Sequence, residues 1–217
     1  RADGVILFNN DQIVKEIELV SKYKIPSVVI GSRVSNEFMG SIFADGENIA
    51  FEIVDDYLKR GLKDIFFVKP KQNLIKIDDL MSGVVKAYEK HGLIFDVERQ
   101  VLNTSMHYEE SYPQLLQYFK NHKHDLVFAG YDKEAVAVVN AAIDNGIDIP
   151  NDMEVMGMLD TSYALLCRPP LTSIHVPVYD MGALAVRLLT KILNNEEIET
   201  KEVSVQHIKM PRATTKS

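Results

Sequence analysis

The chain has one cysteine, no tryptophan and no apolar run longer than a strand. With Cys167 alone there is no disulfide framework, and a reducing, cytoplasmic location is the simpler expectation. The longest apolar stretches are of the order of Ile65-Phe66-Phe67-Val68, far short of the ~20 residues a membrane-crossing helix needs. No secretory leader is visible, although Arg1-Ala2-Asp3-Gly4 does not read as a natural start and further chain is expected upstream. Positive charge is also scarce: 24 Lys and Arg face 31 Asp and Glu, a formal net charge of −7. The densest basic spots, Lys69-Pro70-Lys71 and Lys120 to Lys123, read as loop charges. They give no footprint for direct contact with a nucleic-acid backbone.

Catalytic signatures are missing too. There is no Gly-rich phosphate loop and no Gly-x-Ser-x-Gly elbow. The acidic pairs Asp55-Asp56, Asp78-Asp79 and Glu109-Glu110 fall at helix starts or on expected solvated faces. Helical neighbours diverge by about 100°, so they make poor acid–base partners. His122-x-His124-Asp125 has metal-like spacing but no third convergent ligand, and it reads as a polar loop entering a strand. No metal, cofactor or enzymatic activity is implied.

What is present is alternation. Strand-like runs occur at Val5–Phe8, Ser27–Ile30, Ser41–Phe43, Ile65–Val68, Leu126–Ala129, Met153–Gly157, Thr172–Val176 and Val203–Ile208. Between them, apolar residues recur at helical spacing: Ile49/Ile53/Val54/Tyr57, Leu80/Val84/Ala87/Tyr88, Leu115/Leu116/Phe119, Ala135/Val138/Val139/Ala142 and Leu184/Leu188/Leu189/Ile192. Gly61, Gly92 and Gly146 each follow such a run as stop signals. The pattern predicts an α/β fold with mostly parallel sheets covered by helices. Ligands of such sheets bind at the carboxyl ends of strands, which nominates Asn9-Asn10, Ser32-Arg33, Lys69 to Lys76, Tyr131-Asp132 and Leu159-Asp160.

From Asn145 onward the order of residues becomes specific. Gly146-Ile147-Asp148-Ile149-Pro150-Asn151-Asp152 leads into Val155-Met156-Gly157-Met158-Leu159-Asp160. Pro170-Leu171-Thr172-Ser173-Ile174 and the helix opening at Met181-Gly182-Ala183-Leu184 follow. This series resembles the effector-binding domain of the LacI/GalR family of bacterial transcription regulators, with its G-I-x-I-P-x-D, V-x-G-F/Y-D-D/N, P-x-L-T-T-I and G-x-x-A-x-x-L-L segments. Ala2-Asp3-Gly4-Val5-Ile6-Leu7, Ile25-Pro26-Ser27-Val28-Val29 and the tail Arg212-Ala213-Thr214-Thr215 are similar to further family segments, so the resemblance spans the chain.

The resemblance implies a two-lobed type I periplasmic-binding-protein-like fold, each lobe a mostly parallel sheet flanked by helices. The expected lobes are 1–44 with 176–207 and 45–175 with 208–217, crossing near Phe43–Asp45, His175–Pro177 and His207–Lys209, with the effector between them. It also implies a helix-turn-helix and the first strands of the first lobe upstream of Arg1. Finally it implies a homodimer that couples effector binding to operator affinity, in one branch of the family with a phosphocarrier co-regulator. The cleft would include Phe43 at the first crossover, with Leu80 and His107 from the family pattern.

Several of these positions depart from that pattern. Leu80 stands where sugar- and purine-binding members commonly have Arg, Leu159 where they have Asp, and Tyr131 where many have Asn; His107 occupies a position that is often aromatic. A buried hydroxyl without a partner loses about 1–3 kcal/mol. A small monosaccharide gripped in the usual way is therefore disfavoured, leaving an oligosaccharide or sugar derivative, a less polar metabolite, or a cleft that has lost its effector. Asp132 divides evenly between helix capping and ligand contact, while Asp160 leans to capping. Two rivals remain: a periplasmic solute-binding protein of the same fold, and an enzyme using Asp132, Asp160 or His107.

Overall fold

The computed structural model describes residues 2–8, 13–71, 75–105 and 107–216, and of residues 75 and 76 the backbone alone. The chain divides into two compact units. One comprises Arg1–Gly46, Gln72–Asp79 and Pro177–Gln206; the other Glu47–Lys71, Leu80–Val176 and His207–Ser217.

The first unit is built on a parallel sheet ordered β1-β2-β3-β9, from β1 (Val5–Phe8), β2 (Ser27–Ile30), β3 (Met39–Ala44) and β9 (Glu202–Val205). Helix α1 (Ile13–Lys22) sends Ile13 and Val20 into a cluster with Val29 and Met39, and α8 (Val178–Leu193) packs on β2 and β3. The sequence signal for α1 is blurred because Val14 and Leu19 are exposed apolar residues beside the buried Ile13 and Val20.

The second unit holds six strands ordered β10-β8-β7-β6-β4-β5. These are β4 (Ile65–Pro70), β5 (Val101–Thr104), β6 (Leu126–Ala129), β7 (Glu154–Leu159), β8 (Thr172–His175) and β10 (Ile208–Met210), all parallel except β10 on β8. Ile65 to Val68 are all buried, so the unbroken apolar run reflects a strand covered on both faces. Phe66 and Val68 join Val127, Ala129 and Val155 in a core completed by α5 (Tyr108–Tyr118) and α6 (Asp132–Asp144). The run expected as one strand at Val203–Ile208 is two, β9 in the first unit's sheet and β10 in the second's. Two short helices, α4 (Val97–Gln100) and α7 (Ser162–Leu166), have too few residues to show a period.

Helix ends follow the glycine signals. Gly146 takes φ 75° and Gly61 φ 84°, and the amides just beyond them, Ile147 and Leu62, donate to Ala142 and Tyr57 carbonyls.

Helices α2 (Gly46–Lys59) and α3 (Ile75–Lys90) meet closely. Glu47 accepts from Ser82 Oγ at 2.6 Å and pairs with Lys86 Nζ at 2.6 Å. The solvated face expected for Asp55-Asp56 holds only for Asp56. Asp55 is buried and ringed by Lys59, Lys90 and His91 at 2.7–3.0 Å, which hold its carboxyl well below the usual range.

A Cβ on Gly83 would overlap the Glu47 carbonyl oxygen, whereas one on Gly182 in α8 would meet nothing. Gly83→Ala should therefore destabilise the chain by roughly 1–3 kcal/mol. Gly182→Ala should stabilise it by about 0.5–1 kcal/mol through helix propensity. Urea unfolding of both variants checks this; equal midpoints would mean α2 and α3 do not approach as described.

Candidate functional site

The parallel strands β4, β6, β7 and β8 end in one direction, and the strand order reverses at β4, with β5 on one side and β6 on the other. An open sheet places its ligand crevice at such carboxyl ends. Just beyond β6 and β7 lies a pocket of about 180 Å³ lined by Tyr131, Asp132, Lys133, Glu134, Leu159, Thr161 and Tyr163. Its accessible wall is almost all carbon.

Asp132 is the first residue of α6 and is 1% exposed. Its carboxylate accepts from Ser173 Oγ (2.5 Å), Thr161 N (2.6 Å) and Thr161 Oγ1 (2.8 Å). Burial pushes its pKa up, and these donors oppose that shift. The carboxylate thus ties the start of α6 to β8 and to the residue before α7, instead of capping its own helix. Tyr131 is the N-cap of α6, without a side-chain cap bond.

Leu159 ends β7 at φ 93° and Asp160 follows at φ 51°. A β7 exit of two left-handed non-glycine residues costs of order 1–3 kcal/mol each, a kind of strain that clusters at functional sites. The preference for helix capping at Asp160 is corrected by its partners. It accepts from Arg212 Nη2 at 2.6 Å and pairs with His175 at 3.3 Å, while the α7 N-cap, Thr161, makes no side-chain cap bond. The Arg212 guanidinium, present only when the C-terminal tail packs, captured the carboxylate.

A family description, the periplasmic binding protein-like domain, matches residues 54–215. The chain belongs to this family. Catabolite control protein A of Staphylococcus xylosus is 32% identical to it, covering 100% of this chain and 65% of the relative; the chain thus spans just under two thirds of that protein. Among solved structures, the transcription regulator CcpA of Lactococcus lactis superposes with a TM-score of 0.86 at 24% identity, covering 99% of this chain and 79% of that one. The regulator CelR in complex with cellobiose superposes with a TM-score of 0.83 at 22% identity, covering 99% and 66%. The resemblance to LacI/GalR regulators read from Asn145–Leu193 therefore extends along the whole periplasmic-binding-protein-like domain.

Among the described residues, the other nominated ones do not line this pocket. Leu80 is wholly buried in α3. His107 is exposed ahead of α5, its amide donating to Ser105 Oγ at 3.1 Å. Phe43 is buried in β3, with Arg33 over its ring. Asn9, Asn10 and the Lys76 side chain lie outside the described residues. His122 and His124 serve a stack: His124 lies 4.2 Å from the Phe66 ring and bridges Tyr118 and Asp64, and His122 stacks on Tyr118. Among the described residues no three His, Cys, Asp or Glu side chains gather as a metal site.

Glu134 and Tyr163 were not foreseen. Glu134 looks like an ordinary first-turn acid, yet it is 3% exposed, and burial pushes its pKa up to about 8. Folded, the carboxyl holds its proton to about pH 8; unfolded, it releases it near 4.5. The native state therefore binds the extra proton in that window, and stability falls as pH rises through it, by up to about 1.4 kcal/mol per pH unit. Glu134→Gln should remove this decline. Urea midpoints measured near pH 5, 7 and 8.5 should converge at the acid end and favour the variant at the alkaline end. Parallel curves would show that Glu134 ionises freely in the native state.

Proposed function

We propose that this chain is the effector-binding and dimerisation core of a LacI/GalR-type transcription regulator. It senses a small molecule in the pocket beyond β6 and β7 and passes the signal to operator DNA through a helix-turn-helix outside these residues. The observation that carries the reading is the pocket of Tyr131, Leu159, Thr161 and Tyr163 at the carboxyl ends of parallel strands, in a domain whose named relatives are regulators. A solute-binding protein of the same fold is less well supported, because the relatives similar along the full chain carry regulator names. No enzymatic step is proposed.

The wall argues for the kind of ligand. Two tyrosines offer ring faces for stacking, and Leu159 offers carbon where a carboxylate would hold a sugar hydroxyl. An oligosaccharide laid on the rings, as cellobiose is a ligand of CelR, or a less polar metabolite suits this wall better than a free pentose. A ligand at 100 times its Kd stabilises the folded state by about 2.7 kcal/mol. Melting curves with cellobiose, ribose and a panel of ring-bearing metabolites should show a rise for a panel member or cellobiose but none for ribose. Tyr131→Ala should lose that rise. A shift that survives Tyr131→Ala, or a panel without any shift, would overturn the pocket assignment.

The dimer proposal rests on α7, where Leu165 and Leu166 are 61% and 72% exposed beside Tyr163. Adjacent exposed leucines on one short helix are the sort of apolar patch a second copy covers. Leu165→Glu with Leu166→Glu should convert a sedimenting dimer to monomer without changing the circular-dichroism spectrum. An unchanged sedimentation mass would place the interface elsewhere.

A further inference from the structure

Four acids are buried among the described residues, and three are met. Asp55 has Lys59, Lys90 and His91, Asp132 three donors, and Glu154 the Tyr57 hydroxyl and Arg60. Glu134 is the exception: neither carboxyl oxygen has a hydrogen-bond partner of good geometry among the described residues. The Thr104 hydroxyl and the Tyr131 amide favour its charge without meeting it in good geometry, and burial outweighs both. An unpartnered buried carboxyl costs several kcal/mol if ionised, and an apolar side chain among Ala135, Ala137 and Val138 would avoid that cost. The same residue lines the pocket whose wall carries Tyr131 and Tyr163. A buried carboxyl behind tyrosines is the chemistry that holds an organic cation, the carboxylate supplying charge and the rings cation–π contact. Lys133, half-buried, is the opposing charge on the wall. A lysine of this kind can keep its ammonium in water while its methylenes face a pocket, so it does not bar a cation from the site.

We propose that the pocket beyond β6 and β7 receives a ligand bearing an ammonium group, with Glu134 as its counter-charge. This rests on the reading of the pocket as the effector site and specifies the class of effector. Binding near neutral pH exchanges one cation for another: the carboxyl releases its proton to solvent as the ammonium arrives. The titratable side chains that line the pocket with Glu134 are Tyr131, Asp132 and Lys133 on its own segment and Tyr163 on α7. No charged neighbour contributes to its shift.

Two pairs of probes test the class on the 217-residue chain by calorimetry. One is choline against its neutral carbon isostere 3,3-dimethylbutan-1-ol. The other is the β-1,4-linked glucosamine disaccharide against cellobiose. The cationic member of at least one pair should bind roughly tenfold or more tightly than its neutral partner. For choline, affinity should rise from about pH 6 to 8.5 with proton release at the acid end. Glu134→Gln should abolish the preference and the pH dependence, with circular dichroism confirming its fold. Equal affinity within both pairs, or a preference that survives Glu134→Gln, overturns the proposal. If cellobiose binds, depends on Tyr131 and shows no cationic preference, the pocket stands and the ammonium assignment falls. If none of the four probes binds, the ammonium assignment falls; the pocket assignment falls only if the wider metabolite panel is also silent.

Discussion

The second unit turns on one buried carboxylate. Asp132 collects the Thr161 amide, the Thr161 hydroxyl and the Ser173 hydroxyl, so α6, the β7–α7 connection and β8 converge on two oxygen atoms. Hydrogen bonds to a charged group contribute about 1.5–3 kcal/mol each, and here they oppose, without cancelling, the burial that disfavours the charge. Space for the carboxylate comes from Gly157, where a Cβ would overlap Asp132 Oδ1 and press on Leu171. The glycine in Val155-Met156-Gly157 is thus required by an acid elsewhere in the chain, and no local turn explains it.

The same hydroxyl passes the constraint on. Ser173 Oγ donates to Asp132 and accepts the Asp160 amide at 3.0 Å, holding the left-handed exit of β7 that puts Leu159 into the pocket wall. Asp160 is held from the other side by Arg212, and the tail beyond it stitches β7 to β8: Thr214 Oγ1 donates to Val155 O at 2.7 Å and accepts the Thr172 amide at 2.8 Å. The C-terminal Arg212-Ala213-Thr214-Thr215 therefore works as a strap across strand ends. Leu159 keeps a costly backbone conformation because neighbours on three segments fix both residues of the exit.

Periodicity and punctuation made the scaffold legible. The parallel sheets follow from strand-sized apolar runs separated by helical spacing, and Gly61 and Gly146 end helices where their positions predict. What was not legible depends on distant partners. Asp55 reads as half of an exposed acidic pair until α3 brings Lys90 and His91 against it. Asp160 reads as a helix cap until the chain's last residues supply Arg212. β5 was hidden because Val101-Leu102-Asn103-Thr104 is a short edge strand with one fully buried residue. At the site, Tyr131, Asp132 and Leu159 were readable because they follow strands. Glu134 was not, because an acid in a first helical turn has an ordinary explanation and only packing removes it from water.

The contrast between Asp132 and Glu134 then separates structure from function on one helical turn. Both are buried and both are pushed toward the neutral form by burial. Asp132 meets three donors, one on Oδ1 and two on Oδ2, so both of its oxygens are engaged by the fold. Glu134 lies two residues on with its oxygens unmet, so the fold derives no comparable stabilisation from it. An acid that served packing alone would be replaced by a smaller apolar residue at no structural loss. Its place beside Tyr131, Leu159 and Tyr163 is what the ammonium proposal addresses, since a cation entering the pocket would supply the partner the fold leaves out. With carbon at Leu159 and an unmet carboxyl at Glu134, the wall suits a cationic group better than a hydroxyl-rich one, which is the physical ground of the ammonium proposal.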